Sequence, residues 1–342
     1  MKYSQHIRKT LTATVLILLA LPLAADTPRI IFDSDMTGDC DDCGALAVLH
    51  ALADRGEVEI LACIASYGGN PYVAGCVDAI NTYYGRGDLP LAAEQSAYGR
   101  TESHYLEIVA KDTARYGHDV VTKADVPPPV TVYREVLAAQ PDGAVTIVTV
   151  GRLKALHDLL VSTSDNVSDL DGVALVKQKA VRWVCMGGRY PNTEGKPEAN
   201  FCSHGGAEYS ANTVALWPLP VVFSGYEIGG AILTGAELVK DTDDNPVARA
   251  YRLYFAGVKR LPKPNSRQSW DQTAVLFAAR GAAPYWTVVT EGSNHLGDDG
   301  INEWRATPDS DQAYLVQKQA PEAVAEVIEQ LMTRPPGILH GR

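Results

Sequence analysis

The sequence predicts a single α/β domain with a mostly parallel central sheet and helices on both faces, and three observations support this. Short apolar runs alternate with segments of helical spacing from residue 30 onwards, as in consecutive strand–helix–strand units. The runs are apolar throughout, as expected of strands that are buried on both faces. Polar side chains follow the runs directly, and such sheets bind ligands outside the carboxyl ends of their strands. No repeat or linker divides residues 26–342, so we expect one domain there.

The first 25 residues have the composition of a secretory signal. Lys2, Arg8 and Lys9 make a basic start, an apolar run covers residues 11–23, and Ala25 offers a small residue for cleavage. The run is short for a membrane span. We therefore expect cleavage after Ala25, export of the mature chain to the periplasm or the medium, and no membrane association afterwards. A retained N-terminal anchor is the alternative.

The composition is that of an enzyme acting on small molecules rather than a binder of polyanions. The net charge is −11 and the isoelectric point is near 5.2, which argues against nucleic-acid polymers and anionic membranes as partners. Apolar residues make up 46% of the chain, enough for a large core. The six cysteines lack zinc-site spacing, and their even number permits disulfides in an oxidising compartment, without indicating which would pair.

The first half of the chain predicts four strands, each followed by one or two helices. Ala45, Leu46, Val48 and Leu49 recur at helical spacing after the first apolar run, and three prolines precede the helix near residue 130. The predicted elements are a strand at 30–32, a helix at 42–55, a strand at 58–65, a helix at 72–84, a strand at 89–93, helices at 105–116 and 130–139, a strand at 145–150 and a helix at 151–161.

The second half continues the pattern and ends in a helix. The predicted elements are a strand at 181–186, a helix at 206–216, a strand at 219–223, helices at 228–238, 246–258 and 271–280, strands at 286–290 and 313–317, and a helix at 320–333. Residues 291–311, between the last two strands, are polar and carry no clear periodicity.

Five aspartates follow the first strand within ten residues: Asp33, Asp35, Asp39, Asp41 and Asp42. Carboxylates this close together repel one another, and a hard divalent cation relieves the repulsion. Calcium (Ca2+) suits such a set because it takes about 6–8 oxygen ligands from carboxylates, carbonyls and water. A solvated acidic loop with one helix-capping Asp explains only one or two of the five.

Residues 32–37, Phe-Asp-Ser-Asp-Met-Thr, resemble the apolar-DxDxT signature of haloacid dehalogenase-like phosphatases, and residues 297–302 resemble that family's late acidic loop. The late loop, however, does not follow a buried strand directly, and no lysine at a strand end is available for a phosphoryl group. The phosphatase interpretation also leaves Asp41 and Asp42 without a role. It is therefore the third of three hypotheses.

A second set of motifs resembles the nucleoside hydrolases of the inosine-uridine preferring family, which are calcium-dependent N-ribohydrolases. The motifs keep that family's order through most of the mature chain: Asp35 and Asp42 around the acidic turn, Gly69-Asn70 after the second strand, Val150-Gly151-Arg152-Leu153, Met186-Gly187-Gly188, Glu198-Ala199-Asn200-Phe201, and Asp271 opening an apolar helix. Each motif is weak alone, but their joint order and spacing is specific.

The resemblance implies a role for each matched residue. Asp35, Asp42, Asp271 and the carbonyl of Val150 would hold the calcium, and Asp35 would also take the proton from a water held by the ion. The ribose hydroxyls would bind to Asp41, Asn70, Glu198 and Asn200. Read without the resemblance, Asn70 is also a reasonable helix cap and Asn200 a residue that bonds its own loop.

The chain departs from the family pattern at two places that bear on chemistry. The turn from Asp35 to Asp42 is two residues longer than the common version, and its extra Asp39 either contacts the metal or sugar or caps the turn. Trp270 stands where many members have a histidine that protonates the leaving base; tryptophan can stack on the base but not donate a useful proton. His204, Tyr190, Tyr67 and His295 are the alternative acids.

The sequence thus favours an exported, calcium-dependent hydrolase that splits the N-glycosidic bond of ribonucleosides or related N-ribosides, in nucleoside salvage or scavenging. A non-catalytic or altered-specificity relative that binds a sugar or nucleoside is the alternative, motivated by Trp270. The resemblance also implies a homodimer or homotetramer, with no sequence feature that identifies an interface.

Overall fold

An eight-stranded sheet with the strand order β3-β2-β1-β4-β5-β6-β12-β9 forms the centre of the computed structural model, which describes residues 27–308 and 310–337. All neighbouring pairs in it are parallel except β12–β9, which is antiparallel at the edge. The mostly parallel sheet predicted from the sequence is therefore confirmed. The strands are β1 Arg29–Ser34, β2 Glu59–Ala65, β3 Leu91–Ala93, β4 Val145–Thr149, β5 Ala180–Met186, β6 Val221–Ser224, β7 Leu233–Thr234, β8 Arg267–Gln268, β9 Trp286–Val289, β10 Ser293–Leu296, β11 Asn302–Arg305 and β12 Gln312–Gln317.

Helices cover both faces of this sheet, and the alternation of strand side chains shows it. Ile30 and Phe32 of β1 belong to one buried cluster, whereas Ile31 belongs to the other. The helices are α1 Asp41–Asp54, α2 Val73–Tyr83, α3 Leu106–Lys111, α4 Thr113–Tyr116, α5 Pro129–Ala139, α6 Lys154–Leu160, α7 Gly172–Lys179, α8 Ala199–Cys202, α9 Ala207–Leu216, α10 Tyr226–Gly230, α11 Pro246–Gly257, α12 Trp270–Arg280 and α13 Pro321–Met332.

The strand order reverses direction between β1 and β4. The chain builds outwards from β1 through β2 to β3 on one side, then returns to add β4, β5 and β6 on the other. In open parallel sheets the crevice at such a reversal, outside the carboxyl ends of the strands, is where ligands bind. Asp35 follows β1 and Val150 follows β4, so both lie at this point, and the Val150 N–H donates to the Asp33 carbonyl at 2.8 Å.

Two predicted helices differ from the structure, and two elements of the structure were not predicted. The helix at 105–116 is two helices, α3 and α4, separated at Asp112. The predicted helix at 228–238 is wrong. Helix α10 ends at Gly230, and β7 within the predicted range pairs with β8. Gly235, at φ +109°, prevents a continuous helix. Helix α7 was missed, although Asp171 caps it by accepting from the Ala174 N–H at 2.8 Å. The polar stretch 291–311 contains the hairpin β10–β11, also missed.

The predicted signal segment lies outside the described residues, so its removal stays a prediction. No helix in the part of the chain that the structure describes is long and apolar enough to cross a membrane. All six cysteines are free thiols; Cys202 is half-buried and the others are buried.

Candidate active site

Hydrogen bonds fix the conformation of the turn between β1 and α1. The Ser34 hydroxyl donates to Asp42 Oδ1 at 2.6 Å, and the Met36 N–H donates to the same oxygen at 3.1 Å. Met36 has φ +42° and Gly38 φ +65°, so two residues of the longer turn adopt left-handed backbone conformations. The Tyr105 hydroxyl donates to the Asp39 carbonyl at 2.7 Å. The long turn is therefore an ordered structure that presents its carboxylates on one side.

Asp33 faces away from that side. The Tyr133 hydroxyl donates to its Oδ2 at 2.6 Å, and burial raises the pKa of Asp33 to about 7. Asp33 does not line the cavity described below, so it braces the strand end rather than contacting a ligand.

A cavity of about 610 Å³ opens at the reversal point of the sheet, and carboxylates line it. Asp39, Asp41 and Asp42 each place an oxygen within 4.8 Å of the other two, a spacing that can hold a metal ion. Asp35 and Asp271 line the same cavity, the latter from the first turn of α12. Asp41 Oδ1 is buried and has no hydrogen-bond partner in the described part of the chain. A hard cation fits this set because it would satisfy that oxygen and the surplus negative charge.

Mutual repulsion in the cluster is visible in the pKa shifts. Burial raises the pKa of Asp271 well above its usual value, and the charges of Asp41, Asp42, Asp39 and Asp35 raise it further. Burial and neighbouring aspartates likewise raise the pKa of Asp41 and of Asp42. Residue 271 is therefore within electrostatic range of a turn more than 200 positions earlier. The cluster of three closest carboxylates includes Asp41, which the sequence assigned to the sugar, and omits Asp35 and Asp271.

Two arginines, which the sequence reasoning did not select as site residues, form salt bridges with aspartates of this cavity. Arg152, in the loop after β4, forms a salt bridge with Asp35, and Arg267 of β8 forms one with Asp39. Burial raises the pKa of Asp35, and the Arg152 charge opposes that rise. For Asp39 burial also favours a higher pKa, but the Arg267 charge prevails and the pKa is lowered. Arg152 could have been noticed because it directly follows the Val150-Gly151 strand end; nothing local marks Arg267.

Val150, whose carbonyl the resemblance assigns to the metal, lines the cavity, and Asn200 bonds to that carbonyl. The Asn200 side-chain amide donates to the carbonyl oxygens of Val150 at 3.0 Å and Met186 at 3.1 Å. Glu198 accepts from the Asn200 and Gly188 N–H groups at 3.0 and 3.1 Å, so it caps α8. A carbonyl oxygen has two lone pairs, so Val150 can accept from Asn200 and still bind a cation.

The other predicted sugar and base contacts divide into two groups. Asp41, Glu198, Asn200 and Trp270 line the cavity, whereas Asn70 and His204 do not. Asn70 donates to the Thr101 carbonyl at 2.7 Å and accepts from the Tyr72 N–H at 2.9 Å, so it bonds loop backbone. It is not the helix cap considered as the alternative, because the N-cap residue of α2 is Tyr72. His204 is exposed and contacts Tyr67 edge-on, with ring centroids 5.8 Å apart.

Trp270 is held by its neighbours. Its indole N–H donates to the Tyr226 carbonyl at 2.8 Å, and its ring lies 5.3 Å from the Tyr226 ring. The Arg267 guanidinium lies 5.0 Å from the same ring. Of the described histidines, His104 is the one that lines the cavity, and the sequence reasoning did not select it. No periodicity or motif marks His104, because it lies in an irregular loop.

The phosphatase interpretation required the late acidic loop to meet the aspartates of β1. Asp298 and Asp299 instead lie in the turn between β10 and β11, and neither lines the cavity, nor does Glu303 of β11. The second half of that motif is therefore not at the site.

Solved structures with the same fold include nucleoside hydrolases. An inosine-uridine preferring nucleoside hydrolase from Bacillus anthracis is similar over 90% of this chain and 99% of its own, with a TM-score of 0.63 and 16% identity. A plant nucleoside hydrolase is similar over 90% and 100%, with a TM-score of 0.63 and 17% identity. The type III effector XopQ, solved with adenosine diphosphate ribose, is similar over 91% and 95%, with a TM-score of 0.63 and 15% identity.

The chain thus has the fold shared by nucleoside hydrolases and related proteins, as the sequence predicted. The effector shows that this fold is not confined to proteins described as nucleoside hydrolases. No protein-family model and no curated protein sequence matches the chain.

Proposed function

We propose that the protein is a calcium-dependent hydrolase of the N-glycosidic bond of ribosides, yielding a ribose and a free base. The observation that carries the proposal is the meeting of Asp35, Asp39, Asp41, Asp42 and Asp271 in one cavity at the reversal point of a nucleoside-hydrolase fold. A buried carboxylate cluster of this size is costly without a cation. A sugar that is bound beside it would be well placed for chemistry that develops positive charge.

Asp35, Asp42, Asp271 and the Val150 carbonyl are the proposed ligands of the ion, with Asp39 and Asp41 nearby. When bound, calcium supplies positive charge that holds vicinal hydroxyls and modestly lowers the pKa of water. Hard oxygen donors alone, with no thiolate or imidazole among them, favour calcium over zinc or copper. The Asn200 amide would fix the Val150 carbonyl in place.

Asp35 is the proposed general base. It takes a proton from the attacking water as the C1′–N bond breaks, and the Arg152 guanidinium favours its ionised form. The ribose becomes oxocarbenium-like in the transition state, as in other glycoside hydrolysis. Carboxylates and the Asn200 amide beside the ring would stabilise that charge more than they stabilise the neutral substrate. Glu198 and Asp41 are the proposed contacts of the ribose hydroxyls.

We assign the protonation of the leaving base to His104. His204 and His295 are exposed and lie outside the cavity lining. Burial raises the pKa of the Tyr67 and Tyr190 hydroxyls above their ordinary values, which makes them poor acids at neutral pH. His104 lines the cavity and packs against the end of α11, since a Cβ at Gly257 would lie 2.3 Å from its Nδ1.

The second candidate function is binding of a sugar or nucleoside without cleavage. The salt bridges of Arg152 with Asp35 and of Arg267 with Asp39 favour it, because they engage two carboxylates that the reaction would need. Trp270 favours it too, since it replaces the expected acid.

Ribose release from a panel of purine and pyrimidine nucleosides, with calcium or with a chelator, separates the two candidates. We expect release with calcium, loss of at least about 100-fold in Asp35→Asn, and no change in the matched variant Asp298→Asn in the exposed hairpin. Retained ribose binding without cleavage of any riboside would instead support the binding candidate.

Export and a homodimeric or homotetrameric assembly complete the proposal. Export rests on the basic and apolar composition of the first 25 residues. Determining the N-terminal residue of the mature protein after expression in a bacterial host tests the predicted cut after Ala25. Light scattering of the purified protein tests the assembly.

A further inference from the structure

Two of the arginines at the mouth of the cavity have no role in the proposed hydrolysis of a neutral nucleoside. Four arginines line the cavity, Arg100, Arg152, Arg189 and Arg267, and no lysine does so among the described residues. Arg152 and Arg267 are paired with Asp35 and Asp39. The other two have no such carboxylate partner inside the cavity, so their charge is available to a ligand.

Arg189 is anchored at its backbone and open at its guanidinium. Its N–H donates to Asn302 Oδ1 at 2.9 Å, and its carbonyl accepts from Asn302 Nδ2 at 2.9 Å. The guanidinium lies 3.9 Å from the centre of the Tyr226 ring, and its Nε makes only a long 3.4 Å contact with the Pro197 carbonyl. It forms no salt bridge in the described part of the chain. Stacking on the Tyr226 ring orients the plane of the Arg189 guanidinium and leaves its terminal N–H groups free.

Arg100 lies on another side of the opening, above the aspartate turn. A Cβ on Gly38 would lie 3.4 Å from its Nη1. Its salt bridge is a 3.7 Å approach to Glu102, whose side chain is 81% exposed. An ion pair this long and this exposed contributes little. A ligand anion could therefore replace Glu102 at small cost.

A neutral nucleoside would give neither guanidinium a charged partner inside the cavity, whereas a phosphate would supply one. Guanidinium forks match phosphate oxygens in a bidentate geometry that lysine cannot provide. A dianion would also need local cations to enter this cavity, because the floor is acidic and the whole chain carries a net charge of −11. The volume of about 610 Å³ lies within the range of small-molecule sites, roughly 300–1,000 Å³.

We propose that the substrate is a phosphorylated riboside, a ribonucleoside 5′-monophosphate, with Arg189 and Arg100 as the phosphate contacts. This inference rests on the proposed hydrolase function and names its substrate class. Water adds its oxygen to C1′, the C1′–N bond breaks with its electron pair going to the base, and the base gains a proton. The phosphate ester is untouched, so the products are ribose 5-phosphate and the free base.

Calorimetric binding of the products to the calcium-loaded protein tests the phosphate contacts without needing turnover. We expect ribose 5-phosphate to bind about 10- to 100-fold more tightly than ribose, the range for hydrogen bonds to a charged group. The ratio should fall towards one in Arg189→Ala, fall less in Arg189→Lys, and be lowered by added salt. The matched control is Arg305→Ala, since Arg305 pairs with exposed Glu303 on the hairpin outside the cavity. It should leave the ratio unchanged.

The binding result decides the inference in every case. Equal affinity for ribose 5-phosphate and ribose overturns it, as does a preference that both Arg189→Ala and Arg100→Ala leave intact. Using two variants guards against one that fails to fold. Base release from nucleosides and from their 5′-monophosphates is then compared. If neither is cleaved while the arginine-dependent preference holds, the phosphate contacts stand and the hydrolase function falls.

Discussion

Arg152 donates a hydrogen bond from its guanidinium to Oδ2 of Asp35, the carboxylate that we propose as both calcium ligand and general base. The guanidinium also lies 4.8 Å from the centre of the Tyr67 ring, which keeps it beside the cavity floor. A permanent positive charge therefore stands where a cation is proposed to bind. Both positive charges would act on the same carboxylate.

Replacing Arg152 by glutamine should raise calcium affinity by about 10-fold, because it removes a unit positive charge a few ångströms from the ion. Titration calorimetry at pH 8 measures it. Arg152→Lys keeps the positive charge, so its calcium affinity should stay near that of the unaltered protein. A lower calcium affinity in Arg152→Gln would show instead that Arg152 orients Asp35 as a ligand.

Asp271→Asn should have opposite effects on stability with and without calcium. Without the ion, burial and four neighbouring aspartates disfavour the charge on residue 271, so a neutral amide relieves repulsion and raises the melting temperature. With calcium, the same change removes a ligand and lowers both melting temperature and affinity. We expect an affinity loss of about 100-fold or more, since changes to outer partners alone cost about 10–100-fold.

Calorimetric melting at pH 8 in chelator and in excess calcium measures both effects of Asp271→Asn. Asp298→Asn, in the exposed turn between β10 and β11, should shift neither. A change of the same sign in both conditions would contradict the assignment of Asp271 as a ligand.

Gly229→Ala should damage the site through the start of α12. A Cβ at Gly229 would lie 2.2 Å from the Trp270 Cα and 2.6 Å from its backbone nitrogen, atoms that cannot move without moving Asp271. We expect a loss of about 1–3 kcal/mol in the free energy of unfolding, together with weaker calcium binding. Urea unfolding and calcium titration measure the two effects.

The neighbouring glycine provides the control for Gly229→Ala. A Cβ at Gly230 would meet its nearest atom, Trp270 Nε1, at an ordinary 3.5 Å. Gly230→Ala should therefore be neutral or slightly stabilising, by up to about 1 kcal/mol from helix propensity. Equal effects of the two substitutions would mean that the packing of α10 on Trp270 is looser than described.

The sequence was most informative where a residue's role follows from its own position along the chain. The apolar runs ending before Asp35 and Val150 specified two strand ends, and parallel topology brings strand ends to one edge. Asp271 was selected because it opens an apolar helix at the position where the nucleoside hydrolases that the sequence resembles have a late calcium-binding aspartate. The helix predicted at 228–238 failed because tertiary pairing prevailed over local spacing: the Thr234 and Ser269 hydroxyls bond at 2.7 Å and β7 pairs with β8.

The arginines and His104 could not be predicted in the same way. Arg267 reaches Asp39 across 228 positions, and Arg189 is placed by Tyr226 and Asn302, which are distant in sequence. Long side chains in loops, or in a two-residue strand such as β8, carry no periodic signal, and their partners are set only when the fold closes. The sequence therefore indicated the acidic floor of the cavity but not its cationic mouth.

His50 on α1 should make the fold sensitive to acid independently of the cavity. Arg86 can only donate, so His50 Nδ1, 3.4 Å from its guanidinium, is an acceptor, and Nε2 donates to Asn81 Oδ1 at 2.9 Å. The imidazole is thus buried in its neutral form, and burial lowers the pKa of His50 to about 3.

The unfolded chain binds a proton at His50 below about pH 6.5, while the folded chain does not until about pH 3, so stability should fall with pH across that window. The slope from this one group approaches about 1.4 kcal/mol per pH unit. His50→Gln, which keeps a donor for Asn81, should remove that slope, whereas His295→Gln on the exposed hairpin should not. Urea unfolding from pH 3.5 to 7.5 in chelator measures the difference between variants, in which the shared contribution of the aspartates cancels. Parallel curves for the unaltered protein and His50→Gln would mean that His50 accepts a proton within the folded state, against the hydrogen bonds that it makes with Asn81 and Arg86.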